Sequence, residues 1–159
     1  PFLIIGFLSS CGVANISSNS RPVSHELWDS LVQKHVSPEG WVDYEGFLQD
    51  STRVNRYLDL LSQNHPNKKN WTDDEQLAYW INAYNAYTVK LIMDHYPVAS
   101  IKDIKNGITF VNSVWDIKFI EIEGATYDLN NIEHGIIREQ FAEPRNHLAV
   151  KSASYSCQK

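Results

Sequence analysis

Apolar residues recur every three or four positions through the first part of the chain, which predicts a run of amphipathic helices. One such face spans residues 27–32 and belongs to a helix that Ser24 is expected to cap. A second apolar series, residues 47–61, predicts one or two helices. The longest series covers residues 72–95 and opens with a threonine that has a glutamate three positions later, the sequence of a capping box.

Later in the chain the pattern changes to alternation. Residues 114–122 alternate apolar and polar side chains as a half-buried strand does, and a turn at Gly124-Ala125 is expected to lead into a second strand over 126–129. A last helix is predicted over 132–141, capped by one of the two asparagines that precede it. We therefore predict an α+β fold, with a helical N-terminal half packed on a small antiparallel hairpin.

The beginning of the chain is apolar and ends in a cysteine. This run is shorter than the roughly 20 apolar residues that span a bilayer and has the length of a signal-peptide core. Leu8-Ser9-Ser10-Cys11 is typical of the lipidation site of bacterial lipoproteins. The alternative is a buried N-terminal strand with an incidental cysteine.

Three segments follow from this interpretation. We expect residues 1–11 to be a partial signal peptide, 12–22 a flexible tether and 23–159 a globular domain. Acylation of Cys11 would anchor the domain in the lipid bilayer of the bacterial cell envelope, facing the periplasm, and in the outer membrane if the host is Gram-negative. The sequence begins without Met, and we expect it to be part of a longer chain.

Composition limits the classes of partner. The 159 residues are 43% hydrophobic and 21% charged, which suits one globular domain. The net charge is -5, and the densest basic segment, Asn67–Asn70, holds only two lysines, so no nucleic-acid partner is expected. The sequence has no HExxH motif and no paired-cysteine spacing, and we predict no metal and no cofactor.

Two asparagines stand inside the longest predicted helix, where asparagine is a poor helix former. Asn82 and Asn85, with the neighbouring Trp80, are candidate contacts for a peptide-like or small-molecule ligand. The other interpretation is that their amides hydrogen-bond loop backbone inside the fold. Arg145 is a further candidate ligand contact.

Cysteine, histidine and carboxylate side chains near the C-terminus form a candidate catalytic set. If Cys11 is acylated, Cys157 is the remaining thiol, and its reactivity requires a base that lowers its pKa. His134 or His147 is the candidate base, and Glu133 the candidate residue that orients the ring. Taken one at a time, each histidine is more often structural.

Several segments in this order resemble the family known as domain of unknown function 547. They are Val36–Tyr44, Asp74–Ala86, His95–Pro97, Asp128–Arg138 and Glu143–Val150. The resemblance implies a likeness to papain-type cysteine hydrolases, with a cysteine and a histidine as the active pair. It also implies that the chain continues beyond residue 159, because members of the family extend past the closing motif.

The closing motif departs from the family pattern at one position. Ser152 stands where the family usually has the first of two cysteines, and Cys157 holds the second. If the first position carries the nucleophile, this chain would depend on a serine hydroxyl, which ionises far less readily than a thiol. Two functions therefore stay open: a thiol-dependent hydrolase or acyl-transferase, and a domain that binds a peptide or small molecule without catalysis.

Overall fold

The computed structural model of the protein describes residues 18–104 and 113–141. The elements are, in chain order, α1 (Glu26–His35), α2 (Tyr44–Gln49), α3 (Ser51–Ser62), α4 (Asp73–Asp94), two 3₁₀ turns (Ile101–Asp103 and Val114–Asp116), β1 (Ile120–Ile122), β2 (Ala125–Tyr127) and a π-helix (Asn131–Arg138). Helices come first and a two-stranded antiparallel sheet follows. The predicted α+β fold is confirmed.

The first helix buries the face that the sequence predicts, including Trp28 and Leu31. It begins one residue later than the prediction, because His25 and not Ser24 occupies the N-cap position. The Ser24 hydroxyl still accepts a hydrogen bond from the Glu26 backbone N–H at 3.3 Å. The helix ends at His35, and the chain turns back at Gly40, whose positive φ of 87° favours glycine.

The apolar series over residues 47–61 forms two helices, α2 and α3, which meet at Asp50. Asp43 caps α2 by accepting a hydrogen bond from the Gly46 backbone N–H at 2.9 Å. Helix α3 buries Val54 and Leu61 among its apolar residues. The two short helices therefore form one wall of the core.

Helix α4 is the centre of the fold. The predicted capping box is present: the Glu75 N–H donates to the Thr72 hydroxyl at 3.2 Å, and the Thr72 N–H donates to the Glu75 carboxylate at 2.7 Å. Over half of the helix is buried, on more than one face. Its buried residues are Gln76, Tyr79, Trp80, Ala83, Tyr84, Ala86, Tyr87, Thr88, Val89, Leu91, Ile92 and Met93. A helix with so wide an apolar surface has neighbours on several sides.

The hairpin is shorter than predicted. Only Ile120–Ile122 of the predicted first strand is extended, because Val114–Asp116 form a 3₁₀ turn. The Ser113 hydroxyl donates to the Asp116 carboxylate at 2.6 Å, a local bond that competes with strand pairing. The turn falls at Glu123 and Gly124, both with positive φ, one residue before the predicted position.

The last described helix has π geometry rather than the predicted α geometry. Ile132 and Ile137 are fully buried and five residues apart, and an i to i+5 hydrogen-bonding pattern brings such residues close to one face. The Asp128 carboxylate, just before the helix, accepts a hydrogen bond from the Asn131 N–H at 2.6 Å. Asn130 occupies the N-cap position of the π-helix, as predicted, but its backbone angles are helical and its side chain makes no capping hydrogen bond.

Residues 18–20 lie against the domain. The Trp71 indole N–H donates to the Ser20 hydroxyl at 3.0 Å, and the Asn70 amide donates to the Ser20 carbonyl at 2.9 Å. The Ser18 hydroxyl donates to Glu123 at 3.2 Å. These contacts satisfy donors on the domain surface.

None of the helices in residues 18–104 and 113–141 combines the length and the apolar character that a bilayer span needs.

Candidate functional site

The two asparagines of α4 open into a cavity of about 510 Å³. Residues of α1 or just before it form the opposite wall, and we call this cavity the amide groove. Its lining residues are His25, Glu26, Trp28, Asp29, Val32, Asn82 and Asn85. Asn82 and Asn85 are half-buried and one helical turn apart, so their side chains lie on neighbouring parts of the α4 surface.

The Trp28 indole forms the floor of the amide groove and packs on two further aromatic rings. The Trp28 indole stacks on the Tyr57 ring with centroids 5.6 Å apart and planes 10° from parallel. Phe47 packs on Trp28 at 5.8 Å. Since Trp28 is only 4% exposed, the floor is held in place by the core and is rigid before any ligand arrives.

His25 stands at one end of the groove and is bound to the floor. Its Nδ1 lies 2.7 Å from the Tyr57 hydroxyl. Burial lowers the pKa of His25 and raises the pKa of Tyr57, so both side chains are neutral at neutral pH. This end of the groove therefore has a polar but uncharged ring.

A smaller apolar cavity of about 100 Å³, which we call the apolar annex, adjoins the amide groove. Trp28, Val32 and Asn85 line both spaces. The other residues of the annex are Val36, Val42, Phe47 and Val89. Among the described residues that line the annex, Asn85 has the polar side chain. An amide therefore lies next to an apolar cavity.

Two carboxylates stand at the rim of the groove. Glu26 and Asp29 are exposed and lie in the first turn of α1. The Gln33 amide donates to Asp29 at 2.7 Å. The rim is therefore acidic, while the side-chain amides of Asn82 and Asn85 line the interior.

The structure does not bring Trp80 together with the two asparagines. Its ring packs edge-on against Tyr79 at 5.1 Å, His65 at 5.4 Å and Tyr127 at 5.5 Å. Trp80 is 3% exposed and belongs to the core beside the hairpin. The aromatic residue of the groove is Trp28, which sequence reasoning assigned only to the buried face of the first helix.

Glu133 and His134 point in different directions from the π-helix. The Arg138 guanidinium donates to the Glu133 carboxylate at 2.8 Å, and Tyr84 also hydrogen-bonds Glu133. Burial, together with this carboxylate, raises the pKa of Tyr84. His134 is exposed. Within the described residues, Glu133 is thus engaged by Arg138 and Tyr84, and no hydrogen bond joins it to the His134 ring.

The other predicted site residues lie outside the described residues. These are Cys11, Arg145, His147, Ser152 and Cys157. The meeting of a cysteine with a histidine therefore stays a prediction. In residues 18–104 and 113–141, no group of three or more His, Cys, Asp or Glu side chains is placed to hold a metal ion.

Comparison with known proteins matches residues 68–159 to the family described as Protein of unknown function, DUF547. The chain belongs to this family. No curated protein and no solved structure matches the chain. The DUF547 match includes α4 with both asparagines and the π-helix, whereas α1 precedes it. The amide groove is therefore formed where the DUF547 region packs against the segment before it.

Proposed function

We propose that this DUF547 protein binds a peptide-like ligand in the amide groove. The observation that carries the proposal is the placement of Asn82 and Asn85, which project from adjacent turns of α4 into a cavity of about 510 Å³ over a rigid aromatic floor. Ligand cavities commonly have volumes of about 300–1,000 Å³ and combine apolar walls with a few fixed polar groups. The amide groove has this combination.

A peptide unit matches the chemistry of the groove. Each peptide bond offers one N–H donor and one carbonyl acceptor, and an asparagine side chain offers the complementary acceptor and donors. Two such side chains in succession suit two polar groups of an extended chain. The apolar annex, which begins at Asn85, suits a small or branched apolar side chain beside the bound peptide unit.

The charge of the rim determines which ligand charges are compatible with binding. Glu26 and Asp29 are exposed carboxylates, and the chain as a whole carries a net charge of -5. These negative charges repel an anionic ligand at the mouth of the groove, so anionic ligands are disfavoured there. The ligand is a peptide that is neutral or cationic at the end near α1.

The place of action that we propose is the bacterial cell envelope, with the domain anchored through a lipid on Cys11. The apolar run and small residues that precede this cysteine support the proposal. In that compartment, short peptides are available to a domain that faces the periplasm.

The groove is tested by NMR titration of the ¹⁵N-labelled full chain with a capped tripeptide that has leucine at its centre. We expect saturable shifts of the side-chain NH₂ signals of Asn82 and Asn85, because these groups would touch the peptide. An Asn82→Ala, Asn85→Ala double variant should raise the Kd at least about tenfold, since it removes both hydrogen-bonding groups.

Asn55→Ala is the matched control, because Asn55 is an exposed asparagine on α3 that does not line the groove. Its Kd should equal that of the parent chain. Unchanged binding by the double variant, with a thermal midpoint that shows it folded, would remove the groove from consideration.

A thiol-dependent reaction is the second candidate. It is favoured by the extent of the DUF547 match, which covers the whole candidate catalytic set: Glu133, His134, His147, Ser152 and Cys157. The thiolate would attack an amide or ester carbonyl, release the amine or alcohol with a proton from the histidine, and leave an acyl-enzyme for water or a second acceptor.

Iodoacetamide labelling across pH tests this candidate on a Cys11→Ser background. We expect Cys157 to react with an apparent pKa below the ordinary value of about 8.5, and the pKa to rise in His134→Ala or His147→Ala, whichever removes the base. Cys157→Ala identifies the labelled site. An apparent pKa near the ordinary value in all three backgrounds would exclude the mechanism.

A further inference from the structure

Trp41 is held in solvent by an ordered loop. It is 53% exposed, and the other exposed large apolar side chain in the described part of the chain is Tyr96, at 40%. The loop leaves α1 and returns to pair Val36 with Val42 in an antiparallel bridge. An exposed tryptophan on an ordered support is a frequent anchor for a ligand, because little conformational entropy is lost when it binds.

Hydrogen bonds within the loop fix the backbone that carries Trp41. The Ser37 N–H donates to the Trp41 carbonyl at 2.8 Å, and the Gly40 N–H donates to the Ser37 carbonyl at 2.9 Å. The Trp41 N–H donates to the Ser37 hydroxyl at 3.3 Å. The indole therefore projects from a preorganised turn.

Trp41 borders a cavity of about 840 Å³, which we call the Trp41 cavity. The cavity is lined by Gln33, Lys34, His35, Val36, Ser37, Pro38, Trp41, Val42 and Asp43. Among the described residues it shares none of its lining with the amide groove, while Val36 and Val42 line both this cavity and the apolar annex. Its volume suits a small ligand of a few rings.

The base of the Trp41 cavity is a buried, hydrogen-bonded histidine. The His35 side chain is 5% exposed and its Nε2 lies 2.7 Å from the Asp50 carboxylate, which also accepts from Lys34 at 2.7 Å. These two hydrogen bonds hold the pKa of Asp50 at about 2. Asp50 is therefore ionised at neutral pH and keeps the base in place.

The surroundings of Trp41 combine apolar and polar side chains and disfavour anionic ligands. Val36, Pro38 and Val42 line the cavity beside the indole, together with polar residues such as Gln33 and Ser37. An anionic ligand would meet the 62% exposed carboxylate of Asp43, while the nearby Lys34 charge is already paired with Asp50. These surroundings suit a small, uncharged ligand with an apolar face and a polar rim.

We propose that the Trp41 cavity binds a neutral saccharide. The C–H face of a sugar ring would stack on the indole, as apolar surface does on an aromatic ring. Its hydroxyl groups, which both donate and accept, would meet acceptor oxygens of Asp43 and donor hydrogens of Gln33 and Lys34. This site is independent of the peptide-binding proposal.

NMR titration of the full chain with three neutral trisaccharides, built from glucose, mannose or N-acetylglucosamine, tests the site. We expect at least one of them to shift the Trp41 indole N–H signal saturably at concentrations up to about 10 mM. Trp41→Ala should weaken that binding at least about tenfold, and Trp41→Phe should retain part of it, because a ring still stacks.

Tyr96→Ala is the matched control, since it also removes an exposed aromatic ring but does not line the cavity. It should bind the saccharide as the parent chain does. Three results would overturn the proposal: no saturable shift with any trisaccharide, equal binding by folded Trp41→Ala, or tighter binding of adenosine or of the capped tripeptide at Trp41. Loss of peptide binding in the Asn82→Ala, Asn85→Ala double variant would leave the saccharide proposal unaffected.

Discussion

Replacing Gly46 with alanine is expected to destabilise the protein by about 2–3 kcal/mol, although the same change in an exposed helix is usually stabilising. The added Cβ would lie 2.3 Å from His35 Nδ1 and 2.5 Å from the Asp43 carboxylate. A shift of the His35 ring would cost stability, because the ring packs on Phe47 with centroids 4.9 Å apart and is hydrogen-bonded to Asp50. Thermal unfolding should show a midpoint lower by roughly 5–10 °C.

Gly135→Ala is the control for this prediction. Gly135 also lies in a helix, but an added Cβ there has no atom within 4 Å, so its stability should stay equal or rise slightly. In a His35→Ala background, Gly46→Ala should lose most of its effect, since the clashing ring is gone. If Gly46→Ala unfolds at the parent temperature, the buried position assigned to His35 is incorrect.

Truncating Trp28 to alanine should have the largest effect of any single change discussed, about 3–5 kcal/mol. The indole is 4% exposed and joins three helices, because it stacks on Tyr57 of α3 and packs on Phe47 of α2. Domains of this size are stable by only about 5–15 kcal/mol, so the variant should melt lower by on the order of 10 °C. Urea denaturation followed by circular dichroism measures the loss.

Trp41→Ala makes the same chemical change at an exposed site and is the comparison for Trp28→Ala. Its stability should change by less than about 0.5 kcal/mol, because the side chain leaves few contacts behind. If both variants lost the same free energy of unfolding, the conclusion that Trp28 is buried and Trp41 is exposed to solvent would be contradicted. The comparison also shows whether Trp41→Ala is folded when its binding is measured.

Only part of the amide groove could be predicted from the sequence. Asn82 and Asn85 drew attention because asparagine is unfavourable inside a helix, and the structure places both in one cavity. Trp80 does not join them among the lining residues of this cavity: it precedes them by two and five positions, and residues so spaced do not share a helix face. Trp28 has the aromatic role instead, from a helix more than fifty residues earlier in the chain.

The π geometry of the last helix and the shortness of the first strand were also not predictable from the sequence pattern. An apolar pattern over residues 132–141 indicates a helix, but only burial of Ile132 and Ile137 on the same side reveals the five-residue spacing. Alternation over residues 114–122 indicates a strand, yet the Ser113 to Asp116 hydrogen bond turns its first half into a 3₁₀ turn. In both places the hydrophobic pattern is compatible with more than one backbone conformation, and tertiary packing or a local hydrogen bond selects one of them.

The sequence alone determined the helices, the capping box of α4, the hairpin and membership of the DUF547 family, since periodicity and short-range hydrogen bonds act between residues close along the chain. Only the tertiary structure decided that α1 faces the asparagines of α4, that His35 is buried beside Gly46, and that Trp41 remains in solvent. Those arrangements depend on which distant surfaces pack together, and burial of apolar area is not directional, so no local pattern specifies them.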